Sequence, residues 1–313
     1  MFVSFRVHLG MSERISVRVP ATGANLGCLF DCGAIAFSLY LDLCVTPHAD
    51  DEIVVHYRGV NADRVSTGPD NLIARIMAET LRAWGKTQGF ELEIENQIPV
   101  GAGTGSSAAA IVGAIVASHR LAGRPLCDEE IVSLATKREG HPDNVAAAWH
   151  GGFTVAVESA GRVLSYSCPV PAPLGLVLVV PDYALPTEQA RKVLPATYSR
   201  ADAVHNLQRA VVLTAQLFCG KPELQQCFFD DRWHQSFRAP LMPGLPEVLE
   251  LKHPDLAGVC LSGAGPSVLA FTRGNTNTIG ELILKTLGEK QVQARVYALT
   301  ADNRGAKGWM RPE

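Results

Sequence analysis

A glycine-rich segment at residues 99–108, reading PVGAGTGSSA, limits the possible folds more than any other part of the sequence. It follows residues 90–98, whose alternating apolar and polar side chains predict a half-buried strand. It precedes residues 106–121, a run rich in Ala, Ile and Val that predicts a helix. Alternate glycines let backbone N–H groups approach a ligand, and a helix N-terminus favours an anion. The segment therefore predicts a phosphate-binding loop between a strand and a helix.

Better-known loops of related appearance do not match this segment. A P-loop requires a lysine after its last glycine, and Ser106 follows Gly105 here. The dinucleotide fingerprint requires a glycine at the position of Ser106. A serine hydrolase would require Gly-x-Ser-x-Gly, and neither Ser106 nor Ser107 is followed by that glycine. A strand-to-helix turn whose glycines serve only packing stays open as an alternative.

Composition and charge narrow the class of protein. The chain has 313 residues, of which 47% are hydrophobic, enough for about two domains with a core. Strand-like and helix-like stretches mix irregularly, which favours α+β layers, and the proline-rich residues 169–173 suggest a domain edge. A net charge of −3 argues against nucleic acid as a partner. No apolar run approaches about 20 residues and no signal segment begins the chain, which predicts no membrane contact and a cytoplasmic location.

Three further segments carry clustered polar or small residues. Residues 139–144 read EGHPDN, residues 19–31 read VPATGANLGCLFD, and residues 262–267 read SGAGPS. The first could hold or deprotonate a hydroxyl through Asp143 and Asn144, although a helix cap explains it as well. In the second, small residues around Asn25 and Asp31 suit a lining loop, although an irregular turn explains them equally well. The third could pack beneath the glycine-rich loop or present further N–H groups to a ligand. Singly, each also has an ordinary structural explanation.

Together and in this order, the four segments resemble the GHMP kinase superfamily, and within it the homoserine kinases. The resemblance covers residues 14–305. It implies an α+β, two-domain GHMP kinase fold. An N-terminal ATP-binding domain of the ribosomal protein S5 domain 2-like type would span 11–168, and a ferredoxin-like α+β C-terminal domain would span 169–305. Residues 1–10 and 306–313 are expected to be tails.

The resemblance also implies an activity, in which ATP with Mg²⁺ phosphorylates L-homoserine to O-phospho-L-homoserine for threonine biosynthesis. A homodimer is expected by analogy. The implied ATP-binding residues are Pro99, Val100, Gly101, Ala102, Gly103, Thr104, Gly105, Ser106 and Ser107. The implied substrate-binding residues are Asn25, Asp31, His141, Asp143, Asn144, Thr187, Arg191 and Arg238, with Asp143 and Asn144 as catalytic candidates and Asp143 as the candidate base. A pair of arginines suits a carboxylate.

The sequence departs from the family pattern at three places. Thr104 replaces a branched apolar residue, and residues 27–31 lack a proline and a glycine before Asp31. A magnesium-binding glutamate of some relatives falls near Ser133. Ser106, Ser107 and Glu139 are the proposed metal ligands, and either Glu139 or Glu130 could substitute for the carboxylate that Ser133 cannot supply. Another GHMP kinase acting on mevalonate, shikimate or a sugar, or a non-catalytic GHMP-fold binding protein, remain the alternatives.

Overall fold

The computed structural model describes residues 14–48 and 50–310, so the expected tail at 1–10 and residues 11–13 lie outside it. Its strands are β1 (Ile15–Asn25), β2 (Leu29–Pro47), β3 (Ile53–Gly59), β4 (Phe90–Asn96), β5 (Phe153–Ser159), β6 (Arg162–Cys168), β7 (Gly175–Pro181), β8 (Leu256–Leu261), β9 (Val268–Thr272) and β10 (Ala294–Leu299). Its helices are α1 (Leu72–Ala83), α2 (Ser106–Leu121), α3 (Asp128–Glu139), α4 (Asp143–His150), α5 (Thr187–Lys192), α6 (Arg200–Phe218), α7 (Gln235–Arg238), α8 (Leu245–Leu249), α9 (Thr276–Gly288) and α10 (Gly305–Trp309). None of the helices in these ranges is long and apolar enough to cross a membrane.

The first half of the chain forms a six-stranded sheet around the long strand β2. Strand β2 pairs with β1 along most of its length, and with β4 and β5 through different segments. Strand β4 alternates as the sequence predicts, with Phe90, Leu92 and Ile94 buried. Helices α2 and α4 pack against β1 and β2, and α1 packs against α2. This layer places the N-termini of α2 and α4 close to the β1–β2 hairpin.

The second half forms a four-stranded sheet in the order β10-β7-β9-β8. Counted within this unit the strand order is 4-1-3-2, with helices after the first and third strands, which is the ferredoxin-like arrangement predicted. Leu176 and Leu178 of β7 belong to the core shared with the first sheet, whereas Val177 and Val179 face a second core under α9. Because β7 is covered on both faces, its sequence is apolar throughout rather than alternating.

The end of the described chain returns to the first sheet. Ala301 bridges to Phe37 of β2, and α10 packs on α4 and β1 with Ala306 fully buried. Asp302 accepts hydrogen bonds from the backbone N–H of Gly305 at 2.7 Å and from Trp309 Nε1 at 2.8 Å. The structure therefore departs from the expected tail at 306–313, since residues 306–309 are a packed helix, and residues 311–313 lie outside the described residues.

Candidate active site

A cavity of about 470 Å³ opens where the glycine-rich loop meets the β1–β2 hairpin, the N-terminus of α4 and helix α5. It brings together nearly all of the residues that the sequence nominated. The lining includes Asn25, Asp31, Val100, Gly101, Ala102, Gly103, Thr104, Gly105, Ser106, Ser107, Glu139, His141, Asp143, Asn144, Thr187, Arg191 and Arg238. Of the nominated residues, Pro99 and the substitute metal ligand Glu130 are not part of the lining.

The three glycines of the loop have different structural requirements. Gly101, Gly103 and Gly105 all adopt positive φ, at 71°, 77° and 66°. A Cβ on Gly103 would lie 2.2 Å from the carbonyl oxygen of Ser262, and one on Gly105 would lie 1.9 Å from Thr22 Oγ1. A Cβ on Gly101 would meet nothing closer than 3.7 Å. The last two glycines are thus required by packing between motifs, while Gly101 borders open space.

The loop is held in shape from inside and from the C-terminal half. Thr104 is buried, and its hydroxyl donates to the carbonyl of Pro99 at 2.6 Å, so this departure from the family pattern serves the loop itself. Ser262 Oγ donates to the carbonyl of Gly103 at 2.8 Å. The backbone N–H of Ser267 donates to the carbonyl of Ala102 at 3.1 Å. The segment 262–267 therefore packs beneath the glycine-rich loop, as one of the two sequence interpretations had it.

Thr22 orients Asn144 and was missed by the sequence reasoning. Its hydroxyl donates to Asn144 Oδ1 at 2.7 Å, and its side chain is fully buried. Asn144 lies in the first turn of α4, where its backbone N–H donates to Asp143 Oδ1 at 2.7 Å. With Oδ1 occupied, the amide nitrogen of Asn144 is the atom left to contact a ligand.

The turn before α4 holds a histidine and an aspartate together. His141 Nδ1 and Asp143 Oδ1 are 2.7 Å apart, and Asp143 is almost fully buried. Burial acts to lower the pKa of His141, but the hydrogen bond and the negative charge of Asp143 outweigh it, so the pKa is raised. The pair can exchange a proton with a hydroxyl placed against it.

Asp31 and Arg191 form a two-pronged ion pair across the cavity. Arg191 Nη2 lies 2.7 Å from Asp31 Oδ1, and Nη1 lies 2.9 Å from Oδ2. Asp31 has a φ of 56°, and its backbone N–H donates to Asn25 Oδ1 at 3.0 Å. Asn25 Nδ2 donates to the carbonyl of Gly263 at 2.7 Å. Both polar atoms of the Asn25 side-chain amide therefore form hydrogen bonds with backbone groups around the site.

Arg238 lines the cavity from a deeply buried position. Only 1% of the residue is exposed, and burial followed by repulsion from Arg191 lowers its pKa to about 10. The guanidinium groups of Arg191 and Arg238 lie 5.6 Å and 5.4 Å from the ring centroid of Phe30. A carboxylate that binds in this part of the cavity could therefore contact two guanidinium groups.

Comparison with known proteins gives the same assignment as the motifs. The chain is 40% identical to homoserine kinase of Deinococcus radiodurans, over 93% of this chain and 95% of the relative. It is 39% identical to homoserine kinase of Desulfitobacterium hafniense, over 93% of this chain and 99% of the relative. The chain belongs to the homoserine kinase family. Residues 71–152 also match the GHMP kinases N terminal domain.

Solved structures agree with this family at the level of the fold. A homoserine kinase from Cytophaga hutchinsonii is similar with a TM-score of 0.82 and 26% identity, covering 97% of this chain and 98% of that one. A mevalonate kinase matches with a TM-score of 0.59 and 16% identity, covering 92% and 99%, which shows the fold alone. The expectation of an α+β GHMP kinase fold is confirmed.

A second part of the cavity was not found from the sequence. Its lining includes Tyr57, Arg64, Val65, Ser66, Asp70, Asn71, Leu72, Ile73, Ile94 and Asn96. Asn61 has a φ of 58°, and its side-chain oxygen accepts the backbone N–H of Val100 at 3.0 Å, which ties this region to the loop. Asn71 caps α1 by accepting from the backbone N–H of Ile73 at 3.0 Å. This cap is the one feature of these residues that could be recognised in the sequence, and it indicates the start of a helix rather than a binding site.

The nominated metal ligands lie at the N-terminus of α2. Ser107 Oγ donates to Glu139 Oε1 at 2.6 Å, and Ser106 lies beside it in the lining. Burial raises the pKa of Glu139 in spite of the hydrogen bond from Ser107. Glu130 instead pairs with Arg124 at 3.4 Å and is not in the lining, so it is not placed to substitute. The part of the chain described here has no group of three or more His, Cys, Asp or Glu side chains arranged for a metal.

Proposed function

We propose that this chain phosphorylates the side-chain hydroxyl of L-homoserine with ATP, giving O-phospho-L-homoserine and ADP. Membership of the homoserine kinase family supports this. The observation that carries the proposal is that one cavity joins an anion-binding loop at the N-terminus of α2 to a cluster of two arginines and Asp31. A phosphate donor and a zwitterionic acceptor can therefore meet in the same space.

The acceptor end fits an amino acid rather than a neutral sugar. The carboxylate of homoserine would bind Arg191 and Arg238, and its ammonium group would bind Asp31 and Asp143. Without substrate, Asp31 and Arg191 neutralise each other at 2.7 Å and 2.9 Å. When a zwitterion binds, its carboxylate pairs with Arg191 and its ammonium group pairs with Asp31. Neither side chain is then left without an opposite charge. Thr187, in the first turn of α5, lines this end of the cavity.

The donor end would hold the triphosphate on the backbone N–H groups of residues 101–107. Oxygen ligands from Ser106, Ser107 and Glu139 suit Mg²⁺, which prefers few protein ligands together with phosphates and water. When bound, Mg²⁺ would neutralise charge on the transferring phosphoryl group. The helix dipole of α2 acts in the same direction.

In the transfer itself, the homoserine oxygen bonds to the γ-phosphorus as the bond to the β-γ bridging oxygen breaks and ADP leaves. Asn144 Nδ2, held by Thr22, would contact the attacking hydroxyl. Asp143, hydrogen-bonded to His141, would accept the hydroxyl proton. Positioning and charge stabilisation carry most of the rate in phosphoryl transfer, so orientation of Asn144 is the larger contribution.

A coupled ADP-release assay with Mg-ATP tests the proposal directly. L-homoserine, mevalonate, shikimate and galactose are offered separately, and turnover is expected with homoserine. Turnover with one of the others would favour a different GHMP kinase. No ADP from any acceptor, with ATP still bound, would favour the non-catalytic alternative.

We also propose that the protein forms a homodimer and is located in the cytoplasm. The eight cysteines are all free, which fits a reducing compartment.

Helix α6 exposes Val204, Leu207, Val211 and Phe218 at helical spacing, with exposures of 46%, 61%, 60% and 40%. An apolar stripe of this kind is typical of a protein interface. Light scattering should give the mass of a dimer for the wild type and of a monomer for Leu207→Glu.

A further inference from the structure

Arg238 is held in place by three acceptors from three parts of the chain. Its Nε donates to the carbonyl of Ala190 in α5 at 3.1 Å. Its Nη1 donates to the carbonyl of Gly263 at 3.1 Å and lies 3.0 Å from His234 Nδ1. No described residue accepts a hydrogen bond from Nη2, and Arg238 lines the cavity, so Nη2 is the nitrogen left for a ligand. Of the three acceptors, His234 is the only side chain.

The hydrogen bonds of His234 define its tautomer. Arginine is a donor only, so Nδ1 of His234 must accept from Arg238. The ring proton is therefore on Nε2, which donates to the carbonyl of Gly27 at 2.7 Å. His234 is fully buried, and burial lowers its pKa to about 4, which keeps the ring neutral. A neutral ring with this tautomer links the β1–β2 hairpin to Arg238.

The main chain and the ring of His234 are each held by a further contact. The backbone N–H groups of His234 and Gln235 donate to Asp231 Oδ2 at 2.8 Å and 2.7 Å, which sets the start of α7. Phe30 stacks on the ring with a centroid separation of 5.3 Å. Since Phe30 precedes Asp31, the same contact joins His234 to the ion pair that faces the substrate. His234 thus contacts Arg238 itself and Phe30, the neighbour of Asp31, and it lies outside the cavity lining.

We propose that His234 is a positioning residue that aims the guanidinium of Arg238 at the carboxylate of the substrate. This inference rests on the proposed function, because it assigns Arg238 to a substrate carboxylate. The ring acts through Arg238 and contacts neither substrate nor nucleotide. Its loss should therefore weaken binding of the acceptor and leave the phosphoryl-transfer step itself nearly intact.

The test compares His234→Asn with His234→Leu in the full-length protein. Asparagine can supply an acceptor close to the position of Nδ1, whereas leucine fills space without one. We expect His234→Leu to raise the KM for L-homoserine at least tenfold, with kcat and the KM for ATP within about twofold of wild type. His234→Asn should recover most of the lost affinity. His56→Asn, an exposed histidine of β3, is the matched control.

A second acceptor separates positioning from a general structural role. The compound 3-amino-1-propanol carries the hydroxyl and the ammonium group of homoserine and no carboxylate. Its kcat/KM should be the same in wild type and His234→Leu, because Arg238 has nothing to bind. Equal losses with both acceptors, or a His234→Asn variant as impaired as His234→Leu, would overturn the proposal.

Folding and the underlying function are checked in the same experiment. If His234→Leu does not fold, as judged by its thermal midpoint with ATP, His234→Asn is compared with His234→Gln, whose amide reaches toward Gly27 instead of Arg238. Recovery by Asn and not by Gln supports the proposal, and the reverse contradicts it. Wild-type protein that does not phosphorylate homoserine contradicts the proposed function as well, whereas an active wild type with unchanged variants contradicts the role of His234 alone.

Discussion

Asp31 and Arg191 are 160 residues apart in the chain and bind each other through two parallel hydrogen bonds of 2.7 Å and 2.9 Å. Hydrogen bonding of Arg191 to the Asp31 carboxylate, which accepts from it, is the main cause that raises the pKa of Arg191. About a third of each side chain is exposed to solvent, 34% for Asp31 and 39% for Arg191, so the pair is accessible. An acceptor with one positive and one negative group can take over both halves of this pair. A neutral acceptor cannot, so we expect the pair to favour zwitterionic acceptors over neutral ones.

Arg191→Ala should raise the KM for L-homoserine by about 10- to 100-fold, as expected for loss of a hydrogen bond to a charged group worth ~1.5–3 kcal/mol. The KM for ATP should change little, because the nucleotide binds the other end of the cavity. Steady-state kinetics with each substrate varied measures this. Lys192→Ala is the control, since its ammonium pairs with Glu188 on the exposed face of α5. A rise in the KM for ATP of similar size would contradict the assignment.

Thr22→Val should lower kcat about tenfold or more. The substitution keeps the shape of the side chain and removes the hydroxyl that donates to Asn144 Oδ1 at 2.7 Å. Asn144 then loses its fixed orientation, and a buried acceptor without a donor costs ~1–3 kcal/mol of stability. Thr22→Ser keeps the hydroxyl and should retain most of the activity. Single-turnover rates at saturating substrates measure the effect, and equal rates for the two variants would argue against this role of Thr22.

The sequence nominated candidate site residues wherever the signal was local. The glycine-rich loop and the turn at 139–144 carry their own chemistry within a few residues, and the structure brings them to one cavity. Thr22 was missed because its role arises from Asn144, 122 residues away. His234 lies only four residues before Arg238, but its ring proton is donated to the carbonyl of Gly27, 207 residues away. Neither side chain is unusual in its own stretch of sequence. Such contacts exist only after the two sheets have packed against each other.

The same distinction holds for the fold. Strand β4, whose side chains alternate, and helix α2, which is rich in Ala, Ile and Val, lie where the sequence predicts them. Helix α10 was taken for a tail because five residues carry too little periodicity to be recognised. Its position is set by tertiary packing, with Ala306 buried and Lys307 paired with Asp128 of α3. Propensity alone does not supply that information.

The three loop glycines should respond differently to alanine. Each has positive φ, so each substitution costs ~1–2 kcal/mol of backbone strain. Gly103→Ala and Gly105→Ala add contacts of 2.2 Å and 1.9 Å with neighbouring atoms, whereas Gly101→Ala adds none below 3.7 Å. Thermal unfolding should show a fall of a few degrees for Gly101→Ala and a much larger fall for the other two. Equal decreases in the unfolding temperature of all three variants would mean that backbone strain alone determines their stability.

Glu139 should make both stability and magnesium dependence vary with pH. Burial raises the pKa of its carboxyl above the ordinary value of 4.5, so the folded protein favours the protonated form. Stability from this group is fully present below pH 4.5 and is lost as pH rises through the raised pKa, where the buried charge forms. Glu139→Gln cannot ionise. At neutral pH it should unfold at the same or a higher temperature than wild type, and the difference should vanish in acid.

Activity should increase as pH rises and Glu139 ionises, whereas stability decreases, because only the carboxylate form binds a cation well. The Mg²⁺ concentration for half-maximal activity should rise as pH falls toward the raised pKa in wild type, and should be high at every pH in Glu139→Gln. Ser107→Ala removes the hydroxyl that donates to Glu139 at 2.6 Å and stabilises the ionised form, so it should move the transition to higher pH. Magnesium titrations of the initial rate across this pH range measure all three proteins. A Glu139→Gln variant that is stable and has the magnesium requirement of wild type would exclude Glu139 as the ligand.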